Sequence, residues 1–159
     1  KDYSILKETK ILYQKRKDLS KIQIIESSIL FIALNYTQII LNRLEELSNI
    51  KFLAEKNQNF KMNIVNLLSK GQHNLSIHSK INSMDQEILK EINENSNIQI
   101  IVQNKTQQDI IDLMNELLQD HMQQESLKKI ESLEKKLINN LDENSYSELI
   151  RLKSQLNRD

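Results

Sequence analysis

Three histidines, one glycine and closely interleaved acids and bases are the residues from which any chemistry in this 159-residue chain must come. His73 and His78 stand in a stretch without helical period, and His121 falls inside a long helical pattern. Given how ligands are normally spaced, zinc or catalytic work from them is the weaker reading, and all three read as solvated surface histidines. A phosphate-cradling loop needs at least two glycines near a lysine, a nucleophile elbow needs G-x-S-x-G, and a dinucleotide site needs three glycines. The single glycine excludes all three. Asp and Glu alternate with Lys at helical spacing, which reads as solvated charge, not as an acid/base pair. "KKIESLEKK" has the lysines to reach phosphate, but its own acids neutralise it, and affinity from counterion release needs net positive charge. Met114 and Met122 read as core filler, not as the lining of a target groove. No catalytic residue, metal or cofactor is expected.

The elements that position these residues follow from composition. One Gly, no Pro and few aromatics leave little of the punctuation that sheets and tight hairpins need, so long helices joined by Asn/Ser-rich turns are expected. Twenty-two basic and twenty-two acidic residues cancel, removing the global electrostatic case for strong nucleic-acid binding or an anionic membrane. The longest unbroken apolar run, Ile29 to Leu34, falls far short of the roughly 20 residues of a membrane helix. No leader pattern precedes the first helix and no disulfide is possible, so a cytoplasmic address is expected. The chain starts at Lys1, inside a helical pattern, and is expected to be a piece of a larger protein.

Residues 1–20 are basic and read as a solvated lead-in helix or linker. Ser20 and Gln23 have capping-box spacing, with Leu19 and Ile24 as a hydrophobic staple, and open a core helix through Ile25, Ile29, Ile32 and Ala33. Thr37 reads as the N-cap of a restart leading to Leu41, Leu44 and Leu47. "SNIKFLAEKNQN" breaks the pattern, which resumes at Phe60 and runs through Ile64, Leu67 and Leu68 to Gly71, well placed to end a helix. Gln72 to Asn82 is a loop candidate. Ser83 and Gln86 form another box before Met84, Ile88, Leu89 and Ile92. "NIQIIV" fits a strand or a buried extended connector, and the lack of a second strand favours the connector.

Thr106 and Asp109 fit a capping box for the longest helix, whose apolar positions run to about Leu137. That is roughly 46 Å at 1.5 Å per residue. Its apolar face is broad to Leu118 and then narrows to Leu127, Ile130, Leu133 and Leu137. A last helix starts between Asp142 and Ser145, with Ser145 and Glu148 as the capping-box choice. Ile130, Leu133 and Leu137 repeat at i, i+3, i+7, as do Leu149, Leu152 and Leu156. Two such seams across a short polar turn make an antiparallel helical hairpin. Its apolar burial is small beside the ordering entropy of its residues, so it needs support from the long helix, from a partner, or from both. The expected fold is therefore all-α: a multi-helix bundle over 21–119, joined by a long helix to a C-terminal hairpin over 120–159.

The succession "ESSILFIALNYTQIILNRLEELSNIKF", "MDQEILKEI" and "DIIDLMNELLQDHMQQESLKKIESLEKKLINNLDENSYSELIRLKSQL" resembles the C-terminal helicase-binding domain of bacterial DnaG-type primases over about residues 20–157. The tail, "E-x-x-L…D-E-x-x-Y/F-x-x-L-x-x-L-x-x-Q-L", is the more specific half. The resemblance implies a non-catalytic module of a DNA primase, a DNA-directed RNA polymerase. The module would dock on the N-terminal domains of the hexameric replicative helicase and modulate its activity within the primosome. It places Tyr146, Leu149 and Leu152 on the hairpin seam and Arg151, Gln155 and Arg158 on its polar outer face; these, with Leu156, are the expected partner-binding residues. Single-strand-binding protein is kept as a second candidate partner. The alternatives are an N-terminal domain of a replicative helicase and a helical adaptor or coiled-coil tether.

Overall fold

The computed structural model describes residues 21–71, 79, 86–95, 98–140 and 142–156. The expected lead-in segment, the boxes at Ser20–Gln23 and Ser83–Gln86, His73, His78, Arg158 and, Ser79 apart, the 72–82 loop lie outside them. Among the described residues every regular element is an α-helix and no strand occurs. The helices are α1 (Lys21–Asn35), α2 (Thr37–Leu41), α3 (Leu44–Asn49), α4 (Glu55–Ser69), α5 (Gln86–Asn95), α6 (Ile98–Val102), α7 (Gln107–Asn139) and α8 (Glu143–Leu156). The fold is all-α. The chain divides into two compact units, one reaching Leu117 and the other starting at Leu118, with the division inside α7.

In the first unit α1 is buried on nearly every side, from Ile22 and Ile25 through the whole run Ile29 to Leu34. A helix apolar around its circumference belongs in the middle of a bundle, and α1 packs against α2, α4 and α5. Two of its polar residues are satisfied locally: the Ser28 hydroxyl donates to the Ile24 carbonyl at 2.8 Å and the Asn35 amide to that of Phe31 at 2.9 Å.

Glu26, fully buried in α1, determines where α4 begins. Its carboxylate accepts the backbone N–H of Leu53 at 2.5 Å, that of Ala54 at 3.3 Å and the Asn57 side-chain amide at 3.1 Å. The Ala54 N–H, at the N-cap position, is one of the orphan donors of a helix N-terminus and is satisfied here by a residue of another helix, which also takes the N–H of the residue before it and a side chain of the first turn. Phe52 donates its N–H to the Gln58 side chain at 2.8 Å. The helix therefore starts at Glu55, five residues ahead of the expected restart at Phe60. Fully buried Lys61 closes the same corner, donating to the carbonyls of Ile50 and Ser48 and lying 5.2 Å from the centroid of the Phe52 ring. Burial pushes the Lys61 ammonium below its ordinary pKa, and the Glu26 carboxylate opposes that shift.

Other boundaries separate local signals that hold from those that do not. Gly71, at φ 72°, gives its N–H to Leu68 and ends α4 as expected, a conformation that a side chain would disfavour. Thr37 is the first residue of α2 and not its N-cap; Tyr36 holds that position without a side-chain cap. The described part of "NIQIIV", Ile98 to Val102, is neither strand nor extended connector. It forms α6, in which Ile98 and Val102 are buried one turn apart while Ile100 and Ile101 are exposed. Asn104, at φ 62°, follows as Lys105 donates back to the Val102 carbonyl. The capping box that opens α7 is reciprocal: Asp109 accepts the Thr106 N–H at 2.8 Å and its hydroxyl at 2.7 Å, and the Asp109 N–H returns to that hydroxyl at 3.2 Å. The helix runs two residues past Leu137, to Asn139.

Candidate partner-binding hairpin

The second unit is built on one apolar seam. Ile130 and Leu133 of α7 meet Leu149 and Leu152 of α8, with Leu137 and Leu156 packed against them. The turn is set by Asp142, whose carboxylate accepts the Ser145 N–H at 3.0 Å and its hydroxyl at 2.7 Å. Asp142, not Ser145, is therefore the cap of α8, and Glu148 takes no part in a capping box. Glu148 instead reaches across to Lys129 at 2.7 Å, while Lys153 reaches Glu134 at 2.6 Å. At 100° per residue these two ion pairs fall on opposite sides of the seam, so each fastens one broad face of the hairpin.

The two faces differ. The Lys153–Glu134 side carries Ile138 (83% exposed), Tyr146 (55%) and Ile150 (51%), with Leu127 exposed further from the turn. The Lys129–Glu148 side carries Lys136, Arg151 and Gln155. Hydrogen bonds lower four carboxyls in α7, in α8 and at the cap between them: those of the Thr106 and Ser145 hydroxyls act on Asp109 and Asp142, and those of the Lys135 and Lys129 ammoniums on Glu131 and Glu148.

The expected partner-binding residues are thus distributed over different environments. Leu149 and Leu152, 7% and 6% exposed, face the seam and hold the hairpin together; a partner meets them only if the hairpin opens. Tyr146, expected on the seam, stands out from it. Arg151 and Gln155 are exposed, as a polar outer face requires. Gln155 and half-buried Leu156 border an open groove of about 490 Å³ with Met122 and Ser126. Leu127, expected on the seam, is exposed.

Two expectations on α7 are reversed. His121 is fully buried and not a surface histidine, and Met122 is 62% exposed and not core filler. Position explains both, because His121 continues the buried stripe of Ile110, Met114 and Leu118 at helical spacing while Met122 is turned 100° away. Ile138 and Ile150 were not singled out in the sequence. The available signal was that each is apolar yet off the i, i+3, i+7 seam.

Among the described residues no group of three or more His, Asp or Glu side chains is arranged to hold a metal ion, and no helix is long and apolar enough to cross a membrane. The buried ionisable pair, Glu26 and Lys61, is occupied with backbone groups of its own bundle. No family model, no curated protein and no solved structure matches this chain at a significant level.

Proposed function

We propose that this chain is a non-catalytic docking module of a bacterial replicative primase, and that its hairpin binds the N-terminal domains of the replicative helicase. The observation that carries the reading is the exposed set Ile138, Tyr146 and Ile150 on one face of a hairpin whose own seam is already filled. Contiguous exposed apolar side chains on a small helical unit mark an interaction surface, and apolar residues one turn apart suit helix-in-groove recognition. The order of helical elements and the tail pattern support the choice of family. Within this reading Leu149 and Leu152 hold the shape and Tyr146 and Ile150 enter the partner, while Arg151 and Gln155 stay on the other side of the hairpin. Docking would recruit primase to the fork and modulate the helicase. The test is co-elution of the chain with purified hexameric replicative helicase on size exclusion. A stable complex, lost on Tyr146→Ala with Ile150→Ala, is expected; independent elution of the parent chain at micromolar concentration rejects the reading.

A further inference from the structure

In the first unit a pocket of about 230 Å³ lies between Gln23 and Ser27 of α1, the start of α4 from its N-cap Ala54 to Asn57, and Glu91 of α5. That is below the roughly 300–1,000 Å³ of sites for drug-sized ligands, so its occupant is small. Ser27 is 4% exposed, and its hydroxyl forms no hydrogen bond among the described residues, whereas that of Ser28 donates to the Ile24 carbonyl at 2.8 Å. A buried hydroxyl without a partner is costly, and this one lines the pocket. The N-terminus of α4, a helix of 15 residues, is a second and separate feature. Glu26 takes the Ala54 N–H; those of Glu55, Lys56 and Asn57 have no acceptor within their own helix and belong to residues of the pocket wall. Lys56 and Glu91, also in that wall, pair at 3.6 Å with both side chains open to solvent, an ion pair of little strength.

We infer that this pocket binds a small zwitterion, a free α-amino acid. Its carboxylate accepts from the Ser27 hydroxyl, the N–H groups that open α4 and the Lys56 ammonium, and its own ammonium donates to Glu91. The charges of the wall select this class of ligand. Glu55 and Glu91 line the pocket and Glu26 sits at Ala54, so a phosphate or other simple anion meets three carboxylates and one ammonium. A bare cation meets Lys56 and the positive end of the α4 dipole. A molecule with opposite charges one carbon apart lies antiparallel to the Lys56–Glu91 pair and gives each member its counter-charge. A carboxylate at a helix N-terminus uses donors that are already in place, and charge-assisted hydrogen bonds are the strong ones. Glu26 keeps its bonds to Leu53, Ala54 and Asn57 throughout. The pocket belongs to the first unit, so the proposal is independent of what the hairpin binds.

The test is titration of the whole isotope-labelled chain, followed by amide proton–nitrogen correlation spectra, with glycine and, separately, with acetate and with methylammonium at matched ionic strength. Glycine should give saturable shifts at the Ser27, Lys56 and Asn57 amides at millimolar concentration, as suits so few ligand atoms. Acetate and methylammonium, each carrying half of the zwitterion, should bind at least about threefold more weakly. Ser27→Ala should weaken glycine binding about threefold or more by removing a buried donor. The surface change Glu91→Gln should weaken it about threefold, with helicity unchanged by circular dichroism in both variants. Acetate bound as tightly as glycine would make this a plain anion site and overturn the proposal. So would the absence of saturable shifts with glycine, which leaves the pocket to water, or glycine affinity indifferent to both Ser27→Ala and Glu91→Gln.

Discussion

The buried carboxylate of Glu26 in α1 lies 2.5 Å from the backbone nitrogen of Leu53, 27 residues later, and also accepts the N–H of Ala54, the N-cap position of α4, which has no side-chain cap of its own. A helix boundary in this bundle is therefore a tertiary contact. The same carboxylate is the counter-charge for buried Lys61, which in turn satisfies the carbonyls of Ser48 and Ile50. One ionisable residue thus couples three segments: α1, the 50–54 turn and α4.

Glu26→Ala should cost the first unit about 3–5 kcal/mol, because it strands two backbone N–H groups, the Asn57 amide and a desolvated ammonium at once. Urea unfolding followed by circular dichroism reads this directly. A change below about 0.5 kcal/mol, the range of ordinary surface substitutions, would mean that the network is not holding α4 in place.

That network also marks the limit of what local sequence patterns reveal. Thr106 with Asp109 and Gly71 after Leu68 were legible because each cap is made within a few residues of the end it closes. Glu55 was not, since its cap comes from Glu26 on another helix. "NIQIIV" was misread because four apolar residues in so short a run fit either period, and only the turns around it decide that Ile98 and Val102 face inward. The seam of the hairpin was legible from its i, i+3, i+7 leucines. Its exposed face was not, because only their place off that i, i+3, i+7 seam, and nothing in residue type, distinguishes Ile138 and Ile150 from apolar residues that pack. His121 and Met122 were exchanged for a related reason: residue type was weighed above position on the buried stripe of α7.

Asp142→Ala should fray the start of α8 at neutral pH, losing about one helical turn. The difference from the parent chain should vanish in acid. Hydrogen bonds from Ser145 lower the Asp142 carboxyl below its ordinary 3.8, so the folded chain holds fewer protons here than the unfolded one. The contribution is complete above the ordinary value and is lost as pH falls through the lowered one. Circular dichroism of both chains between about pH 7 and pH 2 is the measurement, with convergence expected only well below about pH 4. A difference that persists at the acid end would remove Asp142 ionisation as the cause.

Leu152→Ala should remove about 2–5 kcal/mol from a seam of six side chains and open the hairpin. Hydrogen exchange should show α8 amides unprotected while α1 and α4 keep their protection, because the two units have separate cores. Tyr146→Ala, at an exposed position, should leave every helix protected. If both variants exchange alike, Tyr146 is part of the fold and not of a binding face.

The most direct test of the docking account is titration of hexameric replicative helicase, at matched salt, with the parent chain and with the Tyr146→Ala, Ile150→Ala double variant. The account predicts at least tenfold weaker binding of the variant, about 1.4 kcal/mol or more, with unchanged helicity, since exposed anchors at the centre of a contact carry most of its energy. A chain cut before Asp142 should fail to bind. Equal affinities for the parent, the double variant and the truncated chain would contradict it and move the docking surface to the first unit.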